Sequence, residues 1–379
     1  MNTMSTEKKL INERDDTLDI MKGLCILFVV IGHTYTPVIS NFVYLFHVAV
    51  FFMISGYCFN NKYLDSWKGS FNLLKKRLVS LWIPYVAWNL LFLLLQNFFL
   101  KIGLITNDKH YFDLNPLTNY GFVNFLPIRA FPKTILKSFF FMNCRPFVGG
   151  LWFLGGLFFV TFTYSCIEVF LKKLKIEKFH IIISVILLCL GYFIDLKDLF
   201  SNFGITKQLI IIFETEILFC IGNNIKKCKL IRDIPILWAT IVLGVCFLFL
   251  GILMSFGRIS IASNIITNPI YYIIVSVLGW YFVWSLSKLI SLCNLKKFFL
   301  LCGNKTIPIL ALHTLAFKLV TLIQYFVSTE KDFVVLALFP VFKNNLLWSF
   351  LYVLVGVGIP LLFSLIFGRF NISKKIFRF

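Results

Sequence analysis

The most constraining feature of this chain is its succession of apolar runs, each about 20 residues long and joined mostly by short basic connections. A run of that length spans the roughly 30 Å hydrocarbon core of a bilayer as an α-helix. Lipid offers no partner to a backbone N–H or C=O, so each run must close its hydrogen bonds internally. Runs near 20–38, 42–60, 78–100, 150–171, 179–196, 207–225, 234–256, 268–290, 299–325 and 346–368 predict ten spans. The expected fold class is all-α, a polytopic membrane protein with both termini cytoplasmic. Composition agrees. With 59% hydrophobic and 14% charged residues, the chain carries too much apolar surface for a water-soluble core; soluble domains run at about 45–50% and about 25%.

The net charge of +20 first suggests nucleic acid. The basic residues, however, sit in clusters between the spans, about two thirds of them on one side, which is the positive-inside pattern. That places the N-terminus in the cytoplasm, excludes a nucleic-acid partner and points to an inner or plasma membrane. The expected organisation is a cytoplasmic tail over 1–18, a transmembrane domain over 19–368 and a basic cytoplasmic tail over 369–379. No cleavable leader is expected, and the first span stays as an anchor. The longest connection, 101–149, falls on the outer face, with 134–142 expected as a short interfacial helix. The ten cysteines lie mostly inside apolar runs, without CxxC or zinc spacing, and read as small buried residues. No metal is expected.

Ionisable groups inside spans are costly and usually face a bundle interior or a wet cavity. The first span carries Asp19, Lys22 and His33. Lys22 and His33 are eleven residues apart, about three helical turns, so they share a face some 16 Å apart along the axis. Asp19 is placed to pair with Lys22. Read blandly, Lys22 is a snorkelling anchor and His33 a hydrogen-bonded structural histidine. A short outer turn brings His47 to the level of His33, and Ser55-Gly56-Tyr57 closes the second span, where small residues also serve close packing. The third span opens on Lys75, Lys76 and Arg77, either a topology signal, a headgroup contact or a grip on phosphates. Arg145 and Trp152 flank the outer entry to the fourth span, Glu214 and Glu216 lie on the sixth, and Lys305 and His313 on the ninth.

In order, these pieces resemble the acyltransferase-3 family of integral membrane acyltransferases. The segments carrying the resemblance are D19-I-M-K-G-L-C-I-L-F-V-V-I-G-H33, F46-H-V-A-V-F-F-M-I-S-G-Y57, K76-R-L-V-S-L-W-I-P-Y85, L151-W-F-L154 and G303-N-K-T-I-P-I-L-A-L-H313. It covers roughly residues 14–370. The first motif carries Lys22 where the family more typically has Arg; a lysine keeps the point charge and loses the bidentate fork. The resemblance implies transfer of an acyl group, usually acetyl from acetyl-CoA, to a hydroxyl of a cell-envelope polysaccharide or lipid-linked glycan. It implies catalysis by His33, with His47 and His313 assisting. Lys22, Lys75, Lys76, Arg77 and Tyr85 would face the acyl-CoA, and Ser55, Arg145, Trp152 and Glu214 the acceptor. Self-association into a homodimer is left open. The competing reading is a transporter that moves a glycan or lipid-linked sugar without covalent chemistry.

Overall fold

The computed structural model describes residues 16–115, 119–142, 145–199, 205–228, 234–329 and 332–379. Most of the expected N-terminal tail, with Lys8, Lys9 and Arg14, and the connection residues Lys229 and Arg232 lie outside the described residues. The helices, in chain order, are α1 (Asp16–Gly32), α2 (Ile39–Tyr44), α3 (His47–Tyr57), α4 (Trp67–Arg77), α5 (Ile83–Lys101), α6 (Tyr111–Leu114), α7 (Phe131–Phe139) and α8 (Trp152–Lys173). They continue with α9 (His180–Leu196), α10 (Thr206–Lys227), α11 (Ile236–Leu253), α12 (Pro269–Ile290), α13 (Lys296–Asn304), α14 (Thr306–Val327), α15 (Leu346–Phe367) and α16 (Asn371–Ile376). A two-residue hairpin, β1 (Ile259–Ser260) with β2 (Ile265–Ile266), joins α11 to α12 in the register Ile259 to Ile266.

Among the described residues, nine helical stretches are long and apolar enough to cross a membrane. Helix α1, at 17 residues, is the shorter tenth. The protein is an all-α, multi-pass membrane protein, as the apolar runs predict. Large apolar side chains such as Leu237, Trp238, Leu248 and Phe350 cover its outer face, while glycine and hydroxyl residues concentrate inside. That is the distribution expected where lipid is as apolar as leucine and close backbone packing drives association.

Two such contacts position the site. A Cβ on Gly23 would lie 2.1 Å from the Phe299 carbonyl oxygen, and one on Gly303 would lie 2.1 Å from that of Asp19. Helices α1 and α13 therefore touch backbone to backbone. In the same way Gly56 of α3 and Gly222 of α10 meet the Phe219 and Met53 carbonyls.

The structure departs from two of these expectations. The expected ninth span breaks at Lys305, where φ −111° and ψ 28° separate α13 from α14, and α13 packs on α1 instead of continuing the span. Segment 134–142 carries the expected short helix, as α7, but that helix runs along α5. Asn97 Nδ2 donates to the Leu126 carbonyl (2.8 Å) and Trp82 Nε1 to the Phe139 carbonyl (2.8 Å). Asn97 and Trp82 are about 22 Å apart along the helix axis, so 126–139 descends beside α5 as a re-entrant segment. Arg145 returns it to mid-helix, its N–H on Asn89 Oδ1 (3.3 Å) and its Nη1 on Gln96 Oε1 (2.6 Å). The C-terminal tail also packs against the bundle: Trp88 Nε1 donates to the Phe377 carbonyl (3.2 Å) and Arg378 Nη2 to that of Val79 (2.9 Å).

Candidate active site

The site begins with α1. Lys22, Ile26, Val29 and His33 follow one another at helical spacing and form a single stripe. His33 lies just past the last turn, yet its backbone N–H still reaches the Val29 carbonyl (3.1 Å), so it keeps the helical register. Its ring meets His313 of α14, with Nδ1 of His33 2.7 Å from Nε2 of His313. Ring centroids are 4.9 Å apart.

Hydrogen bonding assigns the tautomers of this dyad. His313 Nδ1 faces the Ile309 carbonyl at 2.9 Å. A carbonyl only accepts, so this nitrogen carries the proton. In a neutral ring Nε2 is then bare and accepts. His33 Nδ1 must be the donor to it, which leaves the lone pair on His33 Nε2. The same reasoning holds for His47, whose Nδ1 donates to the Val43 carbonyl (2.6 Å). Both His33 and His47 line one cavity of about 180 Å³.

That cavity is elongated. Ile26, Val29 and His33 of α1 line it together with Thr306, Leu310 and Thr314 of α14. Thr306 to Thr314 covers about 12 Å of helix axis, so the space extends from the level of the dyad toward the basic end of the bundle. At the opposite end its walls are Tyr35, Tyr44, Tyr120, Trp152, Phe339 and the hairpin turn 261–263. A second cavity of about 340 Å³ shares Tyr120, Gly149, Trp152 and Ala262 with the first. Together they fall within the roughly 300–1,000 Å³ usual for small-molecule sites.

At the basic end Lys22 Nζ donates to Asp19 Oδ1 (3.0 Å) with its side chain one third exposed. Lys75 and Lys76 are exposed and Arg77 half-buried. Among the described residues, the buried Nε of Arg77 has no hydrogen-bond partner. Arg77 immediately precedes a π-helical turn, Leu78–Trp82, a feature frequent at functional sites. Burial and the neighbouring Lys374 ammonium hold Lys305 below the usual lysine range. This end is thus crowded with positive charge. Tyr85 is fully buried, its ring 4.6 Å from that of Phe141 on the re-entrant segment.

The structure therefore gathers His33, His47 and Trp152, which the sequence singles out, around one space, with the fully buried His313 behind His33 and outside the lining. Ser55, Arg145 and Glu214 lie outside its walls. Ser55 Oγ donates to Phe51 of its own helix (3.0 Å), Arg145 ties down the re-entrant segment, and both carboxylate oxygens of the fully buried Glu214 lack a hydrogen-bond partner among the described residues.

Other polar groups find partners that no local sequence pattern predicts. Lys318, almost wholly buried on α14, donates to the Leu336 and Leu338 carbonyls at 3.0 and 2.5 Å. Glu168, His180 and Glu216 form a buried lock between α8, α9 and α10. His180 Nδ1 bonds Glu168 and its Nε2 lies 3.2 Å from Glu216 Oε1. A lone intramembrane lysine is visible in the sequence; the partners of all these groups come from distant segments and are not.

A family model described as an acyltransferase domain matches residues 15–367. Neither the comparison with curated proteins nor that with solved structures gave a match.

Proposed function

From the premise that the chain belongs to the acyltransferase-3 family and is a membrane-bound acyltransferase, we propose that it moves an acyl group, acetyl in the first instance, from acyl-CoA to a hydroxyl of an envelope polysaccharide or lipid-linked glycan. The observation that carries this reading is the stripe Lys22–Ile26–Val29–His33. Its middle lines a cavity, its inner end is a cation and its outer end is a base.

Acyl-CoA is a polyanion made in the cytoplasm. Its phosphates suit the basic end, where Lys22, Lys75, Lys76 and Arg77 lie. The thioester arm suits the apolar wall of Ile26, Val29 and Leu310, and the acceptor suits the aromatic outer end. There the bare Nε2 of His33 takes the proton of the attacking hydroxyl as general base. The hydroxyl oxygen bonds the thioester carbonyl carbon, the carbon–sulfur bond breaks, and the proton passes from His33 to the thiolate, releasing free CoA thiol. His313 fixes the ring so that Nε2 rather than Nδ1 faces the substrate, the role the third member plays in a catalytic triad. His47 offers a second lone pair in the same space.

Donor binding gives the first test. Replacing Lys22 with Ala is expected to raise the KM for acetyl-CoA about tenfold, equivalent to losing one charge-assisted contact worth about 1.4 kcal/mol. The KM for the acceptor should stay unchanged. Release of free CoA thiol by purified protein at varied acetyl-CoA measures both. An unaltered donor KM in Lys22→Ala and in Arg77→Ala would remove these residues from the donor site. The reading as a whole is tested by transfer of radiolabel from [14C]acetyl-CoA to glycan hydroxyls.

A further inference from the structure

Above the dyad, part of the outer wall of the cavity comes from a cap made by 104–115 and 119–126 together with 332–345, which meet only in the fold. They share a small core of Tyr111, Val335, Ala337 and Leu338. Phe339, with Tyr120 and Pro340, carries this cap to the cavity, and Phe339 is itself only 9% exposed.

The two peptide units flanking Phe339 are each held by a buried side chain from a different element. The Leu338 carbonyl accepts from Lys318 Nζ of α14, and the Phe339 carbonyl accepts from Asn115 Nδ2 (3.0 Å). Lys318 Nζ also sits 5.8 Å from the centroids of both the Phe339 and Phe147 rings. Tyr120, on the cavity rim, places its ring 5.7 Å from that of Phe339 at 36°. A buried lysine is expensive to keep in a membrane protein. This one is directed at a single short stretch of backbone, five residues along α14 from the catalytic-site His313.

We propose that Phe339, with Tyr120 beside it, is an aromatic platform that recognises a pyranose ring of the acceptor, and that Lys318 and Asn115 are positioning residues that aim it. A pyranose is polar at its rim and apolar over its C–H face. An aromatic ring presents a negative face, which attracts such C–H groups, while the bare nitrogens of His33 and His47 lie in the same cavity to meet a hydroxyl of the rim. The proposal rests on the acyl-transfer reading above and adds to it the residue that selects the acceptor.

The test uses purified full-length protein, [14C]acetyl-CoA and a panel of methyl glycosides of glucose, galactose, mannose, N-acetylglucosamine and rhamnose. Phe339→Leu, which keeps an apolar side chain but removes the ring, is expected to raise the acceptor KM at least tenfold. Its kcat and its KM for acetyl-CoA should stay within twofold of the wild type. Phe339→Trp should restore acceptor binding. Lys318→Met should shift the acceptor KM in the same selective way, whereas a merely structural lysine would lower the amount of folded protein and kcat without that selectivity. An unchanged acceptor KM in Phe339→Leu, with the wild type active, overturns the platform and leaves acyl transfer standing. A wild type that labels none of the glycosides instead contradicts the reading on which the platform rests.

Discussion

His33→Ala is expected to lower acyl transfer by about a thousandfold, within the 10²–10⁴ range typical of a lost general base. The side chain is half-buried and, among the described residues, makes one side-chain hydrogen bond, to His313, so the variant should remain in the membrane at wild-type amounts. His313→Ala should cost about a hundredfold, because His33 keeps its position but loses the partner that sets its tautomer. The double variant should be no slower than His33→Ala alone. Groups that act as one unit are grossly non-additive, and once the base is gone its orienting partner has nothing to orient. Initial rates of [14C]acetyl transfer for the three variants measure this. Multiplying losses, with the double variant slower than His33→Ala by a further hundredfold, would show two independent histidines and not a dyad.

Gly303→Ala is expected to destabilise the protein by about 2 kcal/mol, in the range found for overpacked sites, and to cut activity about tenfold or more. The added methyl would stand 2.1 Å from the Asp19 carbonyl oxygen and 3.2 Å from the Gly23 amide nitrogen. Both are helix backbone, so relief requires α1 to move as a body. Helix α1 carries Lys22 at one end and leads into His33 at the other, while α13 runs directly into α14 with His313. A shift between α1 and α13 therefore stretches the 2.7 Å bond between the two rings. Misplacement by about 1 Å can cost a hundredfold in a positioned site. Thermal unfolding followed by intrinsic fluorescence, beside the same transfer assay, reads both effects. Gly358→Ala, where a Cβ meets nothing within 4 Å, is the matched control and should leave both unchanged.

These two expectations mark where the sequence is legible. The stripe through α1 could be read in advance because helical periodicity is local: eleven residues return a side chain to the same face whatever surrounds it. The spans were legible because each apolar run must satisfy its own backbone in lipid. The partnership of His33 with His313 joins positions 280 residues apart, and no pattern within either segment encodes it. Phe339 is one phenylalanine among 46 until Lys318 and Asn115 are seen on either side of it. The descent of 126–139 beside α5 rests on Asn97 and Trp82 finding carbonyls on another segment, and the break at Lys305 on α13 finding Gly23. In each of these cases tertiary packing overrides a local apolar pattern that favours an interfacial helix or one continuous span.

The most direct measurement is stoichiometry in proteoliposomes that hold the purified protein, with acetyl-CoA and an acceptor glycan supplied. Acyl transfer through the His33–His313 dyad predicts one O-acetyl group on the glycan for each free CoA thiol released by the wild type, and neither product from His33→Ala. Glycan carried across the bilayer with no CoA released and no O-acetyl formed would contradict it, and would leave a transporter in its place.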